Sequence, residues 1–179
     1  GKGAAPIANG NLIMVTSAVA GEGKSFNALN LALSIATELN NTVMLVDADV
    51  ARPSILRMLG LPASRGLLDL LVDDKADLSQ VLLRTNIDKL TLLPSGTPHP
   101  RATELLASDA MNTLIADIAR RYSDRIVIFD SPPLLLTTES RVQATHMGQN
   151  VVVDHAEKTL RNDVQHALAT IESCPVKMM

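Results

Sequence analysis

The chain has 179 residues, 46% of them hydrophobic and 20% charged, with a formal net charge of −3. That length supplies one domain with a sizeable core, the balance excludes a disordered chain, and the slight acidity argues against a nucleic-acid surface. The aromatic residues Phe26, Tyr122 and Phe129 are too few for base-stacking platforms, and the lone Cys174 excludes an internal disulfide or an all-cysteine metal site.

Gly1–Asn11 is small and polar, without the apolar stem of a signal peptide, and no apolar run approaches a membrane span. A strand is predicted over Asn11–Ser17. A helix follows over Ser25–Asn40, with Ala28, Leu29, Ala32, Ile35, Ala36 and Leu39 on one stripe. Val43–Asp47 reads as the second strand. Short helices are expected around Ser54–Leu59, Gly66–Val72 and Leu78–Leu83. Strand Leu90–Pro94 precedes helix Ala110–Tyr122, whose apolar stripe is Met111, Leu114, Ile115, Ile118 and Ala119. Strands Ile126–Asp130 and Val151–Val153 come next. Helix Thr159–Ser173 carries Leu160, Val164, Ala167, Leu168 and Ile171. Pro175–Met179 reads as the opening of a further strand, with Met178 and Met179 in its core. The 179 residues are thus expected to be a single domain, part of a longer chain that continues at both ends.

The strands are apolar without alternation, as strands covered on both faces must be. Strand–helix alternation then implies parallel strands joined by right-handed crossovers, a three-layer α/β sandwich.

The strongest motif is Ala18-Val19-Ala20-Gly21-Glu22-Gly23-Lys24-Ser25, between a predicted strand and a predicted helix. That context suits a phosphate-binding loop. Gly21 and Gly23 permit positive φ, and successive amides with the helix N-terminus form an anion nest. Lys24 is expected to reach the β- and γ-phosphates of ATP, lying outside the core, and the Ser25 hydroxyl to ligate Mg²⁺. Ala20 to Phe26 is the expected nucleotide-binding stretch, Glu22 included. The usual leading glycine is replaced by Ala18.

Two strand ends carry carboxylates. Val43-Met44-Leu45-Val46-Asp47-Ala48-Asp49 places two at a strand tip before Arg52-Pro53, where open α/β sheets bind ligands; a helix cap is the alternative reading. Ile126-Val127-Ile128-Phe129-Asp130-Ser131-Pro132-Pro133 has the Walker B form, its Asp130 suited to hold Mg²⁺ directly or through water. His99, His146, His155 and His166 lack metal-ligand spacing; His155 is the one nearest a strand end. Ser131 has no histidine base beside it in the sequence.

Together, Gly21-Glu22-Gly23-Lys24-Ser25, Asp47-Ala48-Asp49 with Arg52-Pro53, Asp130-Ser131-Pro132-Pro133, Leu93-Pro94-Ser95-Gly96 and Glu104-Leu105-Leu106 resemble the bacterial tyrosine kinases of exopolysaccharide synthesis. These are related to the deviant-Walker-A ATPases, and the fold implied is a P-loop NTPase of the MinD/ParA-like class. The resemblance implies that strand Ile126–Asp130 pairs directly with Leu12–Ser17. It implies Lys24, Asp47, Asp49 and Asp130 as catalytic residues, Ser25, Asp47 and Asp130 as metal-binding residues, and Asp47 or Asp49 as the group that activates a tyrosine hydroxyl. It also implies self-association, a membrane polysaccharide co-polymerase as partner, and a cytoplasmic place at the inner face of the plasma membrane. Partition and division-site ATPases carry a signature lysine where this chain has Val19, and iron–sulfur scaffold relatives need a Cys-x-x-Cys. Ala51 stands where the kinases often have arginine, with Arg52 beside it. Tyr122, after Arg120-Arg121, reads as a structural or surface residue. An ATPase switch and a non-catalytic ATP-dependent docking module are the competing functions.

Overall fold

A computed structural model describes residues 9–21, 23–155, 161–172 and 174–179. Seven strands among them form one sheet: β1 (Leu12–Ser17), β2 (Val43–Asp47), β3 (Leu83–Arg84), β4 (Leu90–Leu93), β5 (Ile126–Asp130), β6 (Gln149–Val153) and β7 (Val176–Met178). Their order is β3-β4-β2-β5-β1-β6-β7. Every neighbouring pair is parallel except β3 with β4. The expected direct pairing holds: Val15 of β1 stands opposite Asp130 of β5.

The helices are α1 (Lys24–Thr37), α2 (Ile55–Met58), α3 (Leu67–Val72), α4 (Leu78–Val81), α5 (Ala102–Leu106), α6 (Asp109–Arg121), α7 (Glu139–Ala144) and α8 (Arg161–Ala169). Alternate strand residues point to opposite faces, and each face has its own apolar layer. Val15, Val43, Leu45 and Ile128 pack with Ala28, Ala32 and Ile35 of α1. Met14, Met44, Val127 and Phe129 pack with Met111, Ile115 and Ile118 of α6 and Ala167 of α8. Burying such aliphatic side chains stabilises the fold by about 1.5–3 kcal/mol each. These layers hold the strand tips rigid, and the tips carry the site.

The structure departs from several expectations. α1 ends at Thr37, which leaves Leu39 of the predicted stripe beyond the helix and 65% exposed. α4 stops at Val81, because Leu83 opens an antiparallel bridge to Leu92. A bridge two residues long has no periodicity to detect. Met178 and Met179 are not core; both are exposed. α7, in Thr-Thr-Glu-Ser-Arg, lacks an apolar stripe and went unforeseen. α8 is described over Arg161–Ala169; the expected start of that helix with Leu160, and its end at Ser173, lie outside the described residues.

Candidate nucleotide site

β1 delivers its chain into a loop that turns at Gly21 (φ +81°) and Gly23 (φ +74°) and enters α1 at Lys24. A Cβ on Gly21 would meet nothing within 4 Å, so the left-handed backbone sets the need for glycine there, not space. The Gly23 carbonyl is occupied by the amide and side chain of Asn27, at 3.0 and 2.8 Å. No side chain caps the start of this 14-residue helix, whose N-terminus carries the positive end of its dipole. Glu22 lies outside the described residues.

Lys24 is buried, and the expectation that it lies outside the core is corrected. Its ammonium contacts Asp130 Oδ1, lies 3.1 Å from Asp49 Oδ2, and donates to Ser25 Oγ at 3.3 Å. A lysine can be inaccessible here because two carboxylates compensate its charge. Asp130 sits behind it, fully buried, and its Oδ2 has no hydrogen-bond partner. Burial pushes the Asp130 carboxyl above the ordinary range, against the pull of Lys24.

The paired aspartates of the β2 tip part company. Asp49 lines the cleft over the phosphate loop. Asp47 turns away: its Oδ1 accepts from the Asp49 amide at 3.3 Å, and its Oδ2 accepts from the Ser54 and Ile55 amides at 3.2 and 3.3 Å. The capping alternative therefore holds for Asp47, which satisfies the start of α2 where Ser54 makes no cap bond. Burial, and the neighbouring Asp130 charge, push the Asp47 carboxyl up to about 7.

Backbone bonds join the three strand tips: Ala48 N–H donates to Asp130 O, and Ser131 N–H to Val15 O, both at 2.9 Å. The chain after β5 folds over the phosphate loop, Leu134 N–H reaching Ser17 O at 2.7 Å. Between this segment, the loop and the Asp49–Arg52 turn lies a cleft of about 490 Å³, large enough for a nucleotide. Ala20, Gly21, Gly23, Lys24, Ser25 and Phe26 all line it. Phe26 stands at its mouth, 62% exposed. A second cavity of about 440 Å³ lies on the Asp47 side under Leu56, Leu61 and Pro98, and Arg57 borders both. A hollow of about 510 Å³ near Arg84 and Lys89 lies at the opposite ends of the strands, away from the loop.

Among the described residues no three His, Cys, Asp or Glu converge as a metal cage. Mg²⁺ bound with phosphates needs only one or two side-chain ligands. The unpartnered Asp130 Oδ2, the half-buried Ser25 beside Lys24 and the glycine nest fit a metal–nucleotide pair. His155 does not line the cleft, and Ser131 is buried against Gln143 with no histidine at hand. Sequence reasoning missed Glu139 and Leu136, both in the cleft wall. Neither belongs to a motif; only their distance past the Walker B strand could have raised them.

Residues 9–179 match the family model described as ParA: NUBPL iron-transfer P-loop NTPase. The tyrosine-protein kinase YwqD of Bacillus subtilis is 32% identical over 167 residues, covering 93% of this chain and 69% of that protein. The chain belongs to the bacterial tyrosine kinases within the ParA-like P-loop NTPases. The kinase domain of Escherichia coli tyrosine kinase ETK superposes with a TM-score of 0.85 at 25% identity, covering 95% of this chain and 66% of that one. Other relatives are much longer: the chain spans 22% of the Salmonella typhi tyrosine-protein kinase wzc, at 28% identity. The expected family and MinD/ParA-like fold both hold. No helix among the described residues is long and apolar enough to cross a membrane.

Proposed function

We propose that this chain binds Mg²⁺ with ATP in the glycine-loop cleft and transfers the γ-phosphoryl group to tyrosine hydroxyls. The observation that carries the reading is Lys24, held between Asp49 and Asp130 where the loop enters α1. Mg²⁺, when bound, neutralises charge on the phosphates. Lys24 and the amides up to Ser25 bind and orient the phosphates; Ser25 and Asp130 are the residues to hold the metal, with Asp47 as the adjoining support. Asp49, the strand-tip aspartate that lines the cleft, takes the phenolic proton in this reading as the tyrosine oxygen bonds to phosphorus and ADP leaves.

Self-association, a membrane polysaccharide co-polymerase as partner, a place at the inner face of the plasma membrane and control of exopolysaccharide export belong to the same proposal and rest on family resemblance. The ATPase switch is the second reading, favoured by the ParA-like family model. Incubation of the full-length protein, or this domain with a tyrosine peptide, with γ-labelled ATP separates the two. Phosphotyrosine supports the kinase; free phosphate alone supports the switch; neither product, with ATP bound, leaves a docking module.

A further inference from the structure

Among the described residues, three carboxylates near the cleft have partners. Asp47 is held by backbone amides, and Asp49 and Asp130 by Lys24. Glu139 is the fourth. It is 2% exposed and lines the same cleft; among the described residues its carboxylate meets its own amide and the neighbouring Asp49 charge, and no cation. A buried anion without a cation is unfavourable unless a partner arrives.

Glu139 cannot easily turn away, because its neighbours are pinned. Ser140 Oγ donates to Pro132 O at 2.7 Å, and Thr16 Oγ1 donates to the same carbonyl at 2.8 Å. Arg141 Nε donates to Leu134 O at 3.1 Å. These bonds tie α7 to β1 and to the segment after β5, so the carboxylate is held in the cleft wall.

We propose that Glu139 is an outer carboxylate of the nucleotide site, which accepts hydrogen bonds from the water shell of Mg²⁺ and makes tight nucleotide binding depend on the metal. Mg²⁺ dehydrates reluctantly and keeps several waters, so a carboxylate in the wall can hold it without direct ligation. Such outer-shell partners change metal affinity by about 10–100-fold. Without the metal, the same carboxylate repels a triphosphate. Glu139 therefore acts in opposite directions in the two conditions, which a residue that merely supports the fold does not. The inference rests on the Mg²⁺–ATP reading above.

The test is calorimetry of a non-hydrolysable ATP analogue on the protein and its Glu139→Gln variant, with excess magnesium and with EDTA. In the variant, metal-free affinity is expected to rise on the order of tenfold, while affinity with magnesium falls on the order of tenfold. Equal weakening in both conditions, or no change in either, overturns the proposal. If the unaltered protein binds no nucleotide even with magnesium, the underlying reading fails first. Should the glutamine variant not fold by circular dichroism, Glu139→Asp decides: the charge stays and the reach shortens. Its metal-free affinity must match the unaltered protein while the gain from magnesium shrinks; an unchanged gain overturns the proposal.

Discussion

Asp47 and Asp130 stand side by side, cross-strand partners at the carboxyl tips of β2 and β5. Two buried carboxylates so placed resist joint ionisation, and Lys24, the cation that touches Asp130, is shared with Asp49. This arrangement governs how the unliganded protein responds to pH.

Burial lifts the Asp47 carboxyl from its ordinary value of 3.8 to about 7. Between those values the folded chain binds more protons than the unfolded one, so stability is highest below the window and falls as pH climbs through 7. The raised Asp130 and Glu139 act in the same direction. Asp47→Asn is expected to flatten the slope between pH 4 and 8, by an amount on the order of 4 kcal/mol at most. Urea unfolding at several pH values measures it; an unchanged slope removes Asp47 as the cause.

Lys24→Ala removes the ammonium proposed to bind phosphate and strands Asp49 and Asp130 together. ATP binding is expected to vanish, and stability at neutral pH to fall by ~3 kcal/mol. The stability loss should shrink in acid, where the stranded carboxyls protonate. Calorimetry with thermal melts at two pH values checks both halves; undiminished ATP affinity refutes the assignment.

Asp49→Asn and Asp47→Asn should each reduce tyrosine labelling more than nucleotide binding, since an amide fills the place but takes no proton. Asp49→Asn is expected to be the more severe, by about 10²–10⁴-fold in rate, because Asp49 alone of the two lines the cleft. Equal loss from both variants would assign the proton acceptor no more to Asp49 than to Asp47.

Tyr122 is the only tyrosine in the sequence. Its ring lies under Arg125, 4.7 Å from the guanidinium carbon, just before β5 begins. The length of β5 separates it from Asp130, more than about 13 Å. Tyr122→Phe is expected to leave labelling of a tyrosine peptide unchanged, as followed by phosphotyrosine immunoblot.

The parallel sheet and the glycine loop were legible because their signals are local. A five-residue apolar run ending in Asp, as in Ile126–Asp130, marks a covered strand tip. The division of labour between Asp47 and Asp49 was not legible. Two carboxylates two residues apart look equivalent until Ser54 and Ile55 arrive to claim one of them. Burial of Lys24 was hidden for the same reason: its compensating charges are 25 and 106 positions away. Glu139 carries no motif at all, and only the fold of the Ser131–Thr138 segment brings it to the cleft.

The bonds from Ala48 to Asp130 and from Ser131 to Val15 leave the three strand ends no freedom to shift separately. Rearrangement on nucleotide binding is therefore expected in the Val50–Arg65 and Pro132–Thr138 segments, which border the cleft. Amide hydrogen exchange should therefore be slow at Ala48 and Ser131 whether or not nucleotide is present. Protection gained on binding should appear in those two flanking loops, as a change in their local opening and not in the sheet itself.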